Sequence, residues 1–102
     1  MIVSERQANA IYTVLVNEAG AEEASTFRQR FVQYLSTDEA FEYREFRFCG
    51  KLGFGGKCNV DVHRRKCSVY VSCYWEDETC ERRQIIHRCN SMIKEIMDRG
   101  TQ

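Results

Sequence analysis

Cys58-Asn59-Val60-Asp61-Val62 and Cys67-Ser68-Val69-Tyr70-Val71-Ser72-Cys73 are the stretches whose reading decides the fold. In both, apolar or thiol side chains alternate with polar ones, the period of a strand that buries one face. Upstream, Phe41 to Phe48 is rich in aromatics alternating with charge, as in Glu45-Phe46-Arg47-Phe48. The pattern predicts a three-stranded antiparallel sheet, with strands at about 41–49, 57–62 and 67–75. Gly50-Lys51-Leu52-Gly53-Phe54-Gly55-Gly56-Lys57 is a glycine-rich connection, read as a bulged or flexible link in which glycine permits positive φ. His63-Arg64-Arg65-Lys66 reads as the polar turn between the second and third strands.

Helical periodicity brackets the strands. Ser4 with Gln7 three residues on is a capping-box signature, Ala8, Ile11, Tyr12, Leu15 and Ala19 recur at helical spacing, and Gly20 is a natural stop. A second helix is expected over about 22–36, with Phe27, Phe31, Tyr34 and Leu35 on one face, and the two helices are expected to pack as a hairpin. A last helix is expected over about 77–99, acidic at its start (Glu76, Asp77, Glu78, Glu81) and basic towards its end (Lys94, Arg99), as the helix dipole favours. Its apolar stripe, Ile85, Cys89, Met92, Ile93 and Ile96, must lie against one sheet face. The expected class is α+β, in the order ααβββα.

With 102 residues, 43% hydrophobic and 29% charged, the chain is read as a single domain over 1–102 able to bury a core without cofactor or metal. Proline is absent, and no repeat or low-complexity run is present. Met1-Ile2-Val3-Ser4-Glu5-Arg6 lacks the basic start and apolar core of a signal peptide, and no apolar run is long enough to span a bilayer. The expectation is a soluble cytoplasmic protein. On that basis the six cysteines (49, 58, 67, 73, 80, 89), none in a Cys-x-x-Cys pair, read best as reduced thiols used as small hydrophobes, with disulfides and metal ligation the alternatives.

Catalytic and cofactor motifs fail in detail. Gly50 and Gly55 have P-loop separation, but Gly56 stands where the lysine must be, Lys57 comes one place late, and Cys58 replaces the magnesium-binding hydroxyl. His63 with Cys67, or His87 with Cys89, joined by Cys73 or Cys80, lacks zinc spacing, and the basic turn beside His63 repels a cation. No signature singles out one cysteine–histidine pair as a nucleophile and base. No enzyme activity and no cofactor are therefore expected.

Charge is segregated. Residues 1–41 carry a net −3, 42–75 a net +4 and 76–102 a net −1. The basic strand region interleaves Arg44, Arg47, Lys51, Lys57, Arg64, Arg65 and Lys66 with Tyr43, Phe46, Phe54, Tyr70 and Tyr74. That mixture suits a protein partner, whose binding energy concentrates on Arg, Tyr and Trp, or nucleic acid held by phosphate contact and stacking. A solvated face that only balances the acidic helices is the bland reading, and a net charge of zero disfavours a general nucleic-acid binder.

Arg47-Phe48, Gly50, Leu52-Gly53-Phe54-Gly55-Gly56-Lys57, then Tyr70-Val71, Cys73-Tyr74, Glu76-Asp77-Glu78-Thr79 and Glu81-Arg82 resemble a group of small proteins encoded by phages and prophages. The resemblance covers about residues 42–93, and Cys58 stands where that pattern has an aromatic, Cys80 where it has a proline. It implies an accessory factor that binds and disables a host component, such as an anti-CRISPR inhibitor. The partner expected is thus a host protein or nucleoprotein complex, CRISPR–Cas being the concrete case, met by Arg44, Arg47, Lys51, Phe54, Lys57, Arg64, Arg65, Lys66 and Trp75. Alternatives are a small nucleic-acid-binding module on the same face and a zinc-binding or thiol-dependent protein. Monomer and homodimer both stay open.

Overall fold

A computed structural model of the chain describes residues 3–36, 44–53, 56–65, 68–73 and 80–99. Its elements run α1 (Glu5–Ala19), α2 (Ser25–Ser36), β1 (Arg44–Lys51), β2 (Lys57–Arg65), β3 (Ser68–Cys73) and α3 (Cys80–Arg99). The sheet order is β1-β2-β3, antiparallel throughout. This is the ααβββα α+β fold that the periodicities predict.

The start and stop of α1 are those the sequence specifies. Ser4 Oγ accepts from the Gln7 amide at 3.1 Å, and Gln7 Oε1 accepts from the Ser4 amide at 2.8 Å, completing the capping box. Gly20 ends the helix at φ 68°, where a side chain would be strained. The second helix begins at Ser25 rather than near 22. Residues 21 and 22 are held otherwise: the Ala21 amide donates back to the Leu15 carbonyl at 3.1 Å, and the Tyr12 hydroxyl donates to the Glu22 carbonyl at 2.5 Å.

The second strand is longer than expected, because three of the four residues read as a turn belong to it. His63, Arg64 and Arg65 pair with Tyr70, Val69 and Ser68, which leaves only residues 66–67 between the strands. The expected ends of the first and third strands and the expected first turn of α3 lie at 41–43, 67, 74–75 and 77–79, outside the described residues.

Register settles which side chains share a face. Phe46, Phe48 and Gly50 in β1 stand beside Val62, Val60 and Cys58 in β2, and these beside Val71 and Cys73 in β3. That face gathers the core with Ile11 and Leu15 of α1, Phe31 and Leu35 of α2, and Ile85, Ile86, Cys89 and Ile93 of α3. Phe46 is met edge-on by Phe27 and Phe31, a favourable aromatic geometry. Met92, expected on the α3 stripe, is exposed, and Ile86 is buried in its stead.

The cysteine reading needs correction. Cys58 and Cys73 are joined by a disulfide, their Cα atoms 6.9 Å apart. Cys73 stands directly opposite Val60, so Cys58, two residues back on the same face, is its diagonal neighbour and within reach. The period-2 reading put both thiols on the buried face correctly; it could not see that register makes them adjacent. Cys89 fits the original reading, as a fully buried free thiol, whereas Cys49 is free and exposed. No helix of the described residues is long and apolar enough to cross a membrane.

Candidate partner-binding surface

All three helices send their apolar side chains to one face of the sheet, so the other face is left to polar residues. It carries Arg47, Cys49, Asn59, Asp61, His63, Arg65, Tyr70 and Ser72, whose positions alternate with the core residues. Side-chain contacts tie its three strands together. Arg47 grips Asp61 across β1 and β2 with a forked pair of bonds, Nε to Oδ1 at 2.6 Å and Nη2 to Oδ2 at 3.3 Å. His63 stacks on Tyr70 across β2 and β3, ring centroids 4.7 Å apart, and its Nε2 lies 2.7 Å from Ser72 Oγ. Arg65 reaches over the Tyr70 ring and donates to the Tyr70 hydroxyl at 2.9 Å.

These contacts order the side chains before any partner arrives, which lowers the entropy lost on binding. The Arg47 side chain is 58% exposed while Asp61 beneath it is 12% exposed, so the guanidinium faces solvent and the carboxylate anchors it. Between these two residues the positive charge is turned outward and the acid lies underneath, while Glu45 takes the next outward position of β1, opposite His63.

The residues singled out from the sequence divide. Arg47 and Arg65 are exposed on the open face, and Lys57 is exposed at the start of β2. Lys51 is exposed at the end of β1 but lies at the rim, against Gly20 at the end of α1. Arg44 begins β1. Phe54, Lys66 and Trp75 lie outside the described residues.

Arg64 does not belong to the surface. It is 2% exposed, the largest fully buried side chain among the described residues, on the inward face with Val62 and Val69. Its Nη1 donates to the Arg65 carbonyl, and burial lowers its pKa from the usual arginine value. Extending the Cys58-Val60-Val62 alternation by one step would have found it.

The aromatic half of the expected patch is also rearranged. Phe46 points into the core, and both the ring and the hydroxyl of Tyr70 are engaged by its neighbours. The open face is therefore a basic, hydrogen-bonded lattice rather than a set of bare rings awaiting bases. Sequence reasoning left Asp61 and Ser72 out of the surface although each sits at an outward position of an expected strand, and it placed His63, weighed only as a metal ligand, in the turn that proves to be the end of β2.

The chain matches no protein-family model, no curated protein and no solved structure. The surface has to be judged on its own chemistry.

His63 with Ser72 has the separation of a base and nucleophile, but the backbone of Val71 and Ser72 offers no oxyanion donor. Asn90 takes the N–H and C=O of Val71, so alternation turns those of Ser72 into the ladder with β2. Among the described residues no group of three His, Cys, Asp or Glu is placed to hold a metal ion.

Proposed function

We propose that the protein is a non-enzymatic binding factor that uses the open sheet face to occupy an acidic protein surface. One observation carries this reading: Arg47 and Arg65 are pre-set in exposed positions by Asp61 and Tyr70 on the sheet face turned away from the core of the described residues. Positive charge fixed in this way favours a complementary acidic patch and speeds encounter with it. The phage-like resemblance supports the narrower form of the proposal, an inhibitor that binds a host nucleoprotein complex of the CRISPR–Cas type in the cytoplasm. There the Cys58–Cys73 bond is shielded, since both residues are less than a tenth exposed and thiolate attack requires access.

Two measurements test it. A pull-down from host lysate with the wild-type chain should capture a partner that the Lys57→Glu, Arg65→Glu double variant loses, with both proteins folded at the assay temperature by circular dichroism and the Arg47–Asp61 pair left in place. Equal capture by both proteins sinks the proposal. A mobility-shift titration against DNA and RNA separates the nucleic-acid alternative, which demands binding to bare nucleic acid that falls steeply with salt.

A further inference from the structure

His63 stands between the two arginines of the open sheet face. Asp61, His63 and Arg65 follow one another on the outward side of β2, and Arg47 reaches across from β1 to grip Asp61. The imidazole stacks on Tyr70, ring centroids 4.7 Å apart, and the Arg65 guanidinium lies over the same tyrosine. A titratable ring is thus fixed in the middle of the surface proposed to meet an acidic partner.

Arginine keeps its charge throughout the physiological pH range, whereas histidine changes charge between about pH 5 and 8. The contacts around His63 accommodate both of its states. Nε2 lies 2.7 Å from Ser72 Oγ. A serine hydroxyl donates to a neutral ring nitrogen and accepts from a protonated one, so that bond is kept whichever state is present. The Tyr70 ring, stacked against the imidazole, attracts a cation through its π face. Among the described residues, the charged groups facing the ring are Asp61 and Arg65 on its own strand and Arg47 on β1. Glu45 holds the register position opposite it on β1, and Tyr70 is the ionisable neighbour on β3. Protonation of His63 therefore adds a positive charge to the face without undoing the lattice that orders Arg47 and Arg65.

We infer that His63 makes the open face pH-sensitive, its protonation adding a cation between Arg47 and Arg65 that tightens the hold on an acidic partner as pH falls from about 8 to about 6. The inference rests on the acidic-partner reading and names the regulation of that same face.

The test is a titration of rhodamine-labelled deca-aspartate with the full chain, read by anisotropy at pH 6 and pH 8 at equal, low ionic strength. Aspartate stays ionised over that range, so a change in affinity belongs to the protein. The wild type should bind about fivefold more tightly at pH 6. His63→Gln should bind equally at the two pH values, while His87→Gln, at the other histidine of the chain and exposed on α3, should keep the wild-type ratio. By linkage, the peptide should also move the titration of the His63 ring resonances in the wild type to higher pH, a readout that needs no variant. Equal wild-type affinity at both pH values, a wild-type ratio retained in His63→Gln, or a His63 titration unmoved by peptide overturns the inference and leaves the acidic-partner reading standing. Absence of peptide binding at both pH values overturns that reading and the inference with it.

Discussion

Asn90 of α3 holds both hydrogen-bonding groups of Val71 in β3, taking its N–H on Oδ1 at 2.7 Å and giving Nδ2 to its C=O at 3.0 Å. The carboxamide thereby does for this edge what a fourth strand would do, and an edge closed in this way is protected from pairing with another chain. Asn90→Asp keeps the shape but loses the donor and sets a carboxylate against the Val71 carbonyl. It should cost about 1–3 kcal/mol, read from urea unfolding, and it should raise hydrogen exchange at Val71 more than at Val62. Unchanged exchange at Val71 would show that the side chain does not guard the edge.

The Cys58–Cys73 bond closes a segment with a sequence separation of 15. On the chain-entropy account a loop of that size contributes about 3 kcal/mol. Reductant should therefore lower the urea midpoint of the wild type towards that of Cys58→Ala, Cys73→Ala, and should not move the double variant. A reductant effect of equal size in both proteins is the result that rules this out.

Neighbouring arginines should behave in opposite ways. Arg64→Ala opens a hole in the core and strips the Arg65 carbonyl of its donor, so it should destabilise by about 2–4 kcal/mol. Arg64→Met keeps volume without a buried charge and should come close to wild type, since an apolar replacement often matches a buried ion. Arg65→Glu should leave stability within about 0.5 kcal/mol and reduce capture of an acidic partner. Thermal melts of the three variants decide the matter.

Cys89 carries a pH prediction. Burial, with Glu18 adding to it, pushes its thiol up from 9.0 to about 11. The folded state thus holds the proton where the unfolded chain releases it, so this contribution is full below pH 9 and is lost as pH rises towards 11. A shift of that size corresponds to about 3 kcal/mol at the most. Cys89→Ala should show a shallower alkaline loss of stability over that window, keeping the part owed to Tyr12, whose pKa burial also raises. Parallel curves for the two proteins would contradict the assignment.

Much of the fold could be read before the structure, for identifiable reasons. The capping box at Ser4 and Gln7, the stop at Gly20 and the alternation from Cys58 to Val62 act within a few residues of chain, and each reappears with the geometry that its chemistry demands. Reading failed where charge composition was allowed to outrank periodicity. His63-Arg64-Arg65 looks like a turn because it is basic, yet these residues continue β2 and put Arg64 inside.

By itself, then, the sequence determined the element order, the first cap and stop, and the strand face that is buried, since these follow from local backbone preference and side-chain period. Only the tertiary structure decided that Cys58 and Cys73 are diagonal neighbours, that Asn90 closes the β3 edge, and that Arg47 rests on Asp61. It alone paired Arg88 with Glu18. Those relationships join residues up to 70 positions apart, and they exist only once strand register and helix packing have set the distances between them.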